Sequence, residues 1–203
     1  MAVSCAGIVL AAGSSLRMGK PKQLLPLRSR PLLEHIVAAV CGSALDEVVV
    51  ILGADHELIL RRVRWGRARI IVNRDHASGM SSSLRTGLAA LDSDVERAMV
   101  ILGDQPGVSP ELLDRLLEVH AGSLRPAAAL RVCGLLQPPV VLRRDLWDDF
   151  MALSGDVGGR GLIRARPELV EPVVIGTDEE RPVDIDTPDD WRRYRSGIST
   201  SRS

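Results

Sequence analysis

Aromatic side chains make up only 2% of the 203 residues, too few for the stacking platform on which single-stranded nucleic acids are bound. Charge of one sign is missing as well: 26 basic residues face 26 acidic ones. No nucleic acid or membrane surface drawn by bulk charge is therefore expected as a partner. Cysteine is scarce. Cys5, Cys41 and Cys133 are odd in number and far apart, form no Cys-x-x-Cys pair, and read as reduced core residues. No charged-then-apolar leader precedes the first apolar run, and no run approaches the ~18 residues of a membrane span. A cytoplasmic protein is expected. The four histidines, His35, His56, His76 and His120, show no metal spacing, and no Gly-x-Ser-x-Gly elbow supports acyl transfer.

What is present is a regular alternation. Short apolar runs at 8–12, 47–52, 69–72 and 98–102 have the length of strands buried on both faces. Between them, residues 31–40, 56–63 and 81–91 place apolar side chains at helical spacing, and Ser109-Pro110-Glu111 opens a further helix with a good cap. This order predicts an α/β fold: one Rossmann-like domain with a mostly parallel twisted sheet and helices on both faces. The second half is less regular, with strands expected at 127–132, 140–142 and 170–175 and short helices at 144–153 and 159–166. Thr187-Pro188-Asp189-Asp190 carries the signature of a capping box for the last helix. The domain is expected over residues 1–195, with a small polar tail, 196–203, expected to be disordered.

The chain is organised around the stretch from Gly7 to Leu27. A buried strand breaks at Gly13 into a loop containing Ser14, Ser15, Arg17, Lys20 and Lys22. Such a cationic loop, rich in backbone N–H groups, is suited to phosphates, and Gly13 and Gly19 permit a close approach to ligand. Two familiar phosphate loops are excluded. A P-loop needs four residues between its glycines and a hydroxyl after the lysine; here the glycines are further apart and Pro21 follows Lys20. A dinucleotide fingerprint needs three glycines, and this loop has only Gly13 and Gly19.

Asp104 follows the strand at 98–102 in Gly103-Asp104-Gln105-Pro106. Carboxyl ends of parallel strands line the ligand crevice of open α/β sheets, so Asp104 is expected beside the phosphate loop. A turn aspartate is the plainer reading; with the loop next to it, a metal ligand is favoured. In Val183-Asp184-Ile185-Asp186 the alternation predicts a short strand with both carboxylates on one face. Asp189 and Asp190 are accounted for by capping, whereas Asp186 is not. Gly79-Met80-Ser81-Ser82-Ser83 reads as a loop and helix start. Ser154-Gly155-Asp156-Val157-Gly158-Gly159-Arg160 is a glycine-rich loop, in which Asp156 serves equally well as a helix cap.

Leu10 to Lys22 closely resembles the signature Leu-Ala-Ala-Gly-x-Ser-x-Arg-Met-Gly-x-x-Lys of the nucleotidyltransferases related to the molybdenum cofactor enzymes. With the Gly-Met-x-Ser-Ser-Leu, Gly-Asp-Gln-Pro, Ser-Gly-Asp and Asp-Ile-Asp-Thr-Pro segments, the chain is similar from Gly7 to Trp191 to the molybdenum cofactor cytidylyltransferase-like (MobA-like) family. Ala11-Ala12-Gly13 resembles the cytidylyl more than the guanylyl members. The resemblance implies a nucleotide-diphospho-sugar-transferase-like fold. The implied activity is transfer of CMP from CTP to the terminal phosphate of molybdenum-molybdopterin, with release of pyrophosphate. Mg2+ would be held by Asp104 and Asp186. Lys22 and Arg17 would act in catalysis, on the α-phosphate and on the departing pyrophosphate. The nucleotide would meet Leu10, Ala11, Ala12, Gly13, Ser14, Ser15, Gly79, Ser82 and Ser83. Ser83 matches the family's base-contacting serine, and its hydroxyl could accept from the cytosine amino group. Asp156 and Arg160 fall where relatives bind the second substrate.

One departure bears on that acceptor. The family usually has Gly-His-Pro before the strand at 140–142, where this chain has Gln137-Pro138-Pro139. Another phosphorylated acceptor therefore stays open, as does a non-catalytic cofactor carrier or maturation factor that hands its cargo to a molybdoenzyme. Some relatives are assigned as flavin-dependent oxidoreductases, but no flavin-specific feature is found in this sequence.

Overall fold

The computed structural model describes residues 4–15, 18–155, 159–176 and 181–200, the side chains of 159, 160, 162 and 198–200 excepted. The chain opens with β1 (Cys5–Ala11), a small hairpin of β2 (Pro26–Leu27) and β3 (Arg30–Pro31), and α1 (Leu32–Gly42). β4 (Glu47–Leu52), α2 (His56–Arg62), β5 (Arg69–Val72), α3 (Met80–Ala89), β6 (Arg97–Leu102) and α4 (Pro110–Gly122) follow. Then come β7 (Ala127–Val132), β8 (Leu135–Arg143), α5 (Trp147–Met151), α6 (Gly159–Ala165), β9 (Val170–Val174) and α7 (Pro188–Thr200). Seven strands form one sheet in the order β5-β4-β1-β6-β8-β7-β9. Only β8 runs against its neighbours; the β1–β4, β1–β6, β4–β5 and β7–β9 pairs are parallel. This is the mostly parallel α/β sheet that the strand–helix alternation predicts.

The apolar runs are continuous because the sheet is covered on both sides. Along β1, Val9 faces a layer formed with Leu33, Ile36 and Leu113 from α1 and α4. Ile8 faces the opposite layer, with Leu84 and Leu88 of α3 and Phe150 of α5. Ile8 and Leu84 are fully buried, and each such side chain contributes about 1.5–3 kcal/mol. Gly87 sets how closely α3 lies on the sheet: a Cβ there would stand 2.5 Å from Ile8 Cγ2. That close approach carries the start of α3 to the carboxyl end of β1.

Three local readings change. β8 begins at Leu135, earlier than the expected strand at 140–142, and runs through both prolines. They fit because the pairing with β7 jumps from Ala129↔Val140 to Leu130↔Gln137, leaving Pro138 and Pro139 where no ladder donor is needed. Residues 183–186 are extended but form no strand. Finally, α7 continues past Ser196, where the tail is expected to begin, to Thr200. Its first turn is secured by the capping box and by the ion pairs Arg192–Asp189 and Arg193–Asp190. Among the described residues no helix is long and apolar enough to cross a membrane.

Candidate active site

β1 delivers the phosphate-loop candidate at its carboxyl end, and one buried side chain fixes where that loop goes. Gln23, 2% exposed, donates through Nε2 to the carbonyls of Ala11 at 3.0 Å and Gly13 at 3.1 Å. Its Oε1 accepts from Ser15 Oγ at 3.4 Å, and Ser15 Oγ accepts from the Lys22 amide at 3.0 Å. The start of the loop is thereby tied to Lys22. Sequence reasoning passed over Gln23, although its place beside Lys22 in the loop motif offered a signal.

β6 ends beside β1, and the Gly103 amide donates to the Leu10 carbonyl at 2.8 Å, so Asp104 enters the same crevice. Asp186 arrives from far along the chain. The Val183 amide donates to the Pro106 carbonyl at 3.1 Å and the Ile185 amide to the Asp104 carbonyl at 3.3 Å. Ile185 is fully buried and anchors the segment. Gly107, at φ +91°, lets the segment lie this close, since a Cβ there would overlap the Arg181 carbonyl. Just beyond, Thr187 and Asp190 form the expected capping box: the Thr187 amide donates to Asp190 Oδ2 at 2.8 Å and the Asp190 amide to Thr187 Oγ1 at 3.2 Å.

The result is a triad of charges. Lys22 Nζ pairs with Asp104 Oδ2 and, at 3.2 Å, with Asp186 Oδ1. Burial alone would lower the Lys22 pKa, but the carboxylates of Asp104 and Asp186 outweigh it and hold the ammonium above its ordinary range. Burial raises the Asp104 carboxyl, with the Lys22 ammonium opposing it. Asp184, expected on the same face as Asp186, accepts instead from Gln105 Nε2 at 2.7 Å.

Beside the triad opens a cavity of about 500 Å³. Leu10, Ala11, Ala12, Gly13, Ser14, Lys22, Gly79, Ser83 and Asp104 line it, together with Gln23, His76, Ala77 and Met80. Two residues expected at the nucleotide are not among the lining residues. Ser15 is engaged within the loop. Ser82 points inward, its Oγ donating toward the carbonyls of Gly79 at 2.8 Å and Asp75 at 2.9 Å. Asp186 meets Lys22 at the cavity's edge. Arg17, Asp156 and the side chain of Arg160 lie outside the described residues. Asn73 is a further buried residue that the sequence reading passed over; its position just after β5, at a strand's carboxyl end, was the available signal.

Residues 7–171 match the family described as MobA-like NTP transferase domain. The chain is 36% identical to nicotine blue oxidoreductase of Paenarthrobacter nicotinovorans, over 92% of this chain and 94% of that protein. Its fold is similar to the crystal structure of Rv0371c from Mycobacterium tuberculosis, with a TM-score of 0.83, 29% identity, and coverage of 97% and 100% of the two chains. A second Rv0371c structure, a complex with manganese, superposes with a TM-score of 0.79 at 28% identity, over 94% and 97%. A nucleotidyl transferase from Methanothermobacter thermautotrophicus is similar at a TM-score of 0.81 and 25% identity, over 98% and 99%. With strands, loop and charged triad arranged as above and most of its length matched, this chain belongs to the MobA-like NTP transferase family.

Proposed function

We propose that the protein transfers CMP from CTP to the terminal phosphate of a molybdopterin-type acceptor, molybdenum-molybdopterin being favoured, and releases pyrophosphate. The observation that carries this reading is the convergence of Lys22, Asp104 and Asp186 at the edge of a cavity floored by the loop at the end of β1. A phosphate-monoester nucleophile is already largely ionised at neutral pH, its second pKa being about 6. No general base is required. What remains for the protein is alignment and neutralisation of charge.

The donor set suits Mg2+. Asp104 and Asp186 offer hard carboxylate oxygens that close on one position, now spanned by the Lys22 ammonium, and Mg2+ commonly takes one or two carboxylates plus substrate phosphates. When bound, the ion would supply neutralisation of the triphosphate. Lys22 carries the permanent positive charge of the site and is placed to serve the α-phosphate. In this reading Arg17 binds the leaving pyrophosphate, Gly13 and Ser14 receive phosphate, and Asp156 and Arg160 face the acceptor.

The relative named nicotine blue oxidoreductase favours a second reading, a redox reaction in which no triphosphate is cleaved. The test is incubation with Mg2+, CTP and molybdenum cofactor, with measurement of pyrophosphate and of the dinucleotide. Stoichiometric formation of both is expected. CTP binding without either product would point to another acceptor or to a carrier, and absence of CTP binding would remove the cytidylyl reading.

A further inference from the structure

The stretch that follows β6 and the stretch that precedes α7 run side by side for three residues. The Val183 amide donates to the Pro106 carbonyl at 3.1 Å and the Ile185 amide to the Asp104 carbonyl at 3.3 Å. One residue on each side lies between these bonds, so Gln105 stands opposite Asp184, as opposed residues of two paired strands do. Gln105 is 1% exposed, and a carboxamide buried that deeply is costly unless it is bonded. Its Nε2 donates to Asp184 Oδ1 at 2.7 Å. An ionised carboxylate only accepts, so the amide nitrogen of Gln105, and not its oxygen, must face Asp184.

This is the shortest of the three bonds. The two main-chain bonds are neutral and long for their kind, whereas the side-chain bond is charge-assisted, a type roughly twice as strong. The main-chain bonds set how far apart the stretches lie. The side-chain bond sets how residues 183–186 are turned about their own axis. A roll that released Asp184 would carry Asp186, two residues on in extended backbone, away from Lys22.

We infer that Gln105 is the positioning residue for Asp186: by gripping Asp184 it keeps the Asp186 carboxylate 3.2 Å from Lys22 Nζ and, resting on the proposed function, presents the second carboxylate to Mg2+. Gly103-Asp104-Gln105-Pro106 thereby supplies one carboxylate of the site directly and the other through its glutamine.

Lys20 and Lys22 are the only lysines in the chain. Acylation of the folded protein, resolved by mass spectrometry, therefore reads the state of Lys22 with the exposed Lys20 as internal reference. No nucleotide or metal enters this assay. Gln105→Glu sets a carboxylate against Asp184 and should raise the ratio of Lys22 to Lys20 labelling by about fivefold, the worth of one lost bond. Asp186→Asn should raise it by a similar factor, and the two together should add nothing further. Gln105→Glu combined with Asp184→Asn restores the amide–carboxylate bond with its polarity exchanged, and should return the ratio to within about twofold of the unaltered protein.

Three results would overturn the inference and leave the functional reading standing: an unchanged ratio while the melting temperature falls, an undiminished effect in the Asp186→Asn background, or no recovery in the exchanged pair. Should Gln105→Glu not fold, Asp184→Ala, at a half-buried position, should raise the ratio in the same way, and an unchanged ratio there would equally overturn the inference. In the complete reaction, kcat for pyrophosphate release should fall in Gln105→Glu and recover in the exchanged pair, with CTP affinity by calorimetry changed by less than about twofold. An unchanged kcat beside a raised labelling ratio would overturn the role in presenting Mg2+. Absence of pyrophosphate release from the unaltered protein would remove the functional reading, and the labelling ratios would still decide whether Gln105 holds Asp186.

Discussion

Ile185 donates its backbone amide to the carbonyl of Asp104 at 3.3 Å, and that bond sets the next residue, Asp186, across Lys22 from Asp104. Two carboxylates from separate stretches of the chain are brought together by main chain. The site's charge is consequently assembled by extended backbone that carries no strand ladder of its own.

Replacing either carboxylate should therefore damage function more than folding. The side chains of Asp104 and Asp186 are 19% and 43% exposed, and Lys22 keeps one partner when the other is lost. Asp104→Asn and Asp186→Asn are each expected to reduce pyrophosphate release by about a hundredfold or more, as when a group that stabilises transition-state charge is removed. Melting temperatures should move by only a few degrees. Turnover near that of the unaltered protein in Asp104→Asn would remove the mechanism.

Gly107 offers a test at a distance from the substrate. Alanine there meets both the strained φ of +91° and the Arg181 carbonyl, at a cost of about 1–3 kcal/mol. The segment bearing Asp186 should shift, while the loop at the end of β1 is left in place. The expected signature is a fall in kcat larger than any change in CTP affinity, measured by steady-state kinetics alongside calorimetry. An equal loss in both quantities would mean that the segment also carries nucleotide binding.

The base preference follows from Ala12 and Ser83. At equal concentration Mg-CTP should raise the melting temperature more than Mg-GTP, because a ligand at about 100 times its Kd stabilises the native state by about 2.7 kcal/mol. A larger shift with GTP would reverse the assignment.

Cys5 gives the chain an alkaline weakness. Burial, opposed by Arg97 and reinforced by Asp46, pushes its thiol from 9.0 up to about 12. Between those values the native state holds a proton that the unfolded chain has released, so stability falls as pH rises through this window and is fully retained below it. Urea unfolding at about pH 8 and about pH 10 should show the unaltered protein losing up to about 1.4 kcal/mol per pH unit more than Cys5→Ala. Parallel slopes for the two proteins would show that Cys5 titrates normally.

Where physical chemistry repeats itself along the chain, the sequence was readable. β4 and β7 coincide with their apolar runs because strands buried on both faces leave no other pattern; the half-buried edge strand β5 coincides with its run as well. The Ser109 and Thr187 caps were visible because capping is local. β8 was read short because prolines argue against a strand, and nothing in the sequence announces the register shift that accommodates them. Asn73 belongs to no motif; its hydrogen bonds to Ser82 and Ser83 arise only when β5 and the start of α3 are adjacent. Ser82 and Ser83 were both expected at the nucleotide; the phase of α3 sends Ser82 inward and leaves Ser83 on the cavity.

That helix also ties ligand recognition to the interior. Because Gly87 rests against Ile8, the distance between the base side of the cavity, on α3, and its phosphate side, at the end of β1, is gauged by the thickness of a single packing contact. Methylenes added or removed at that point change the size of guest the site admits, so the hydrophobic interior here serves as a calliper as well as a source of stability.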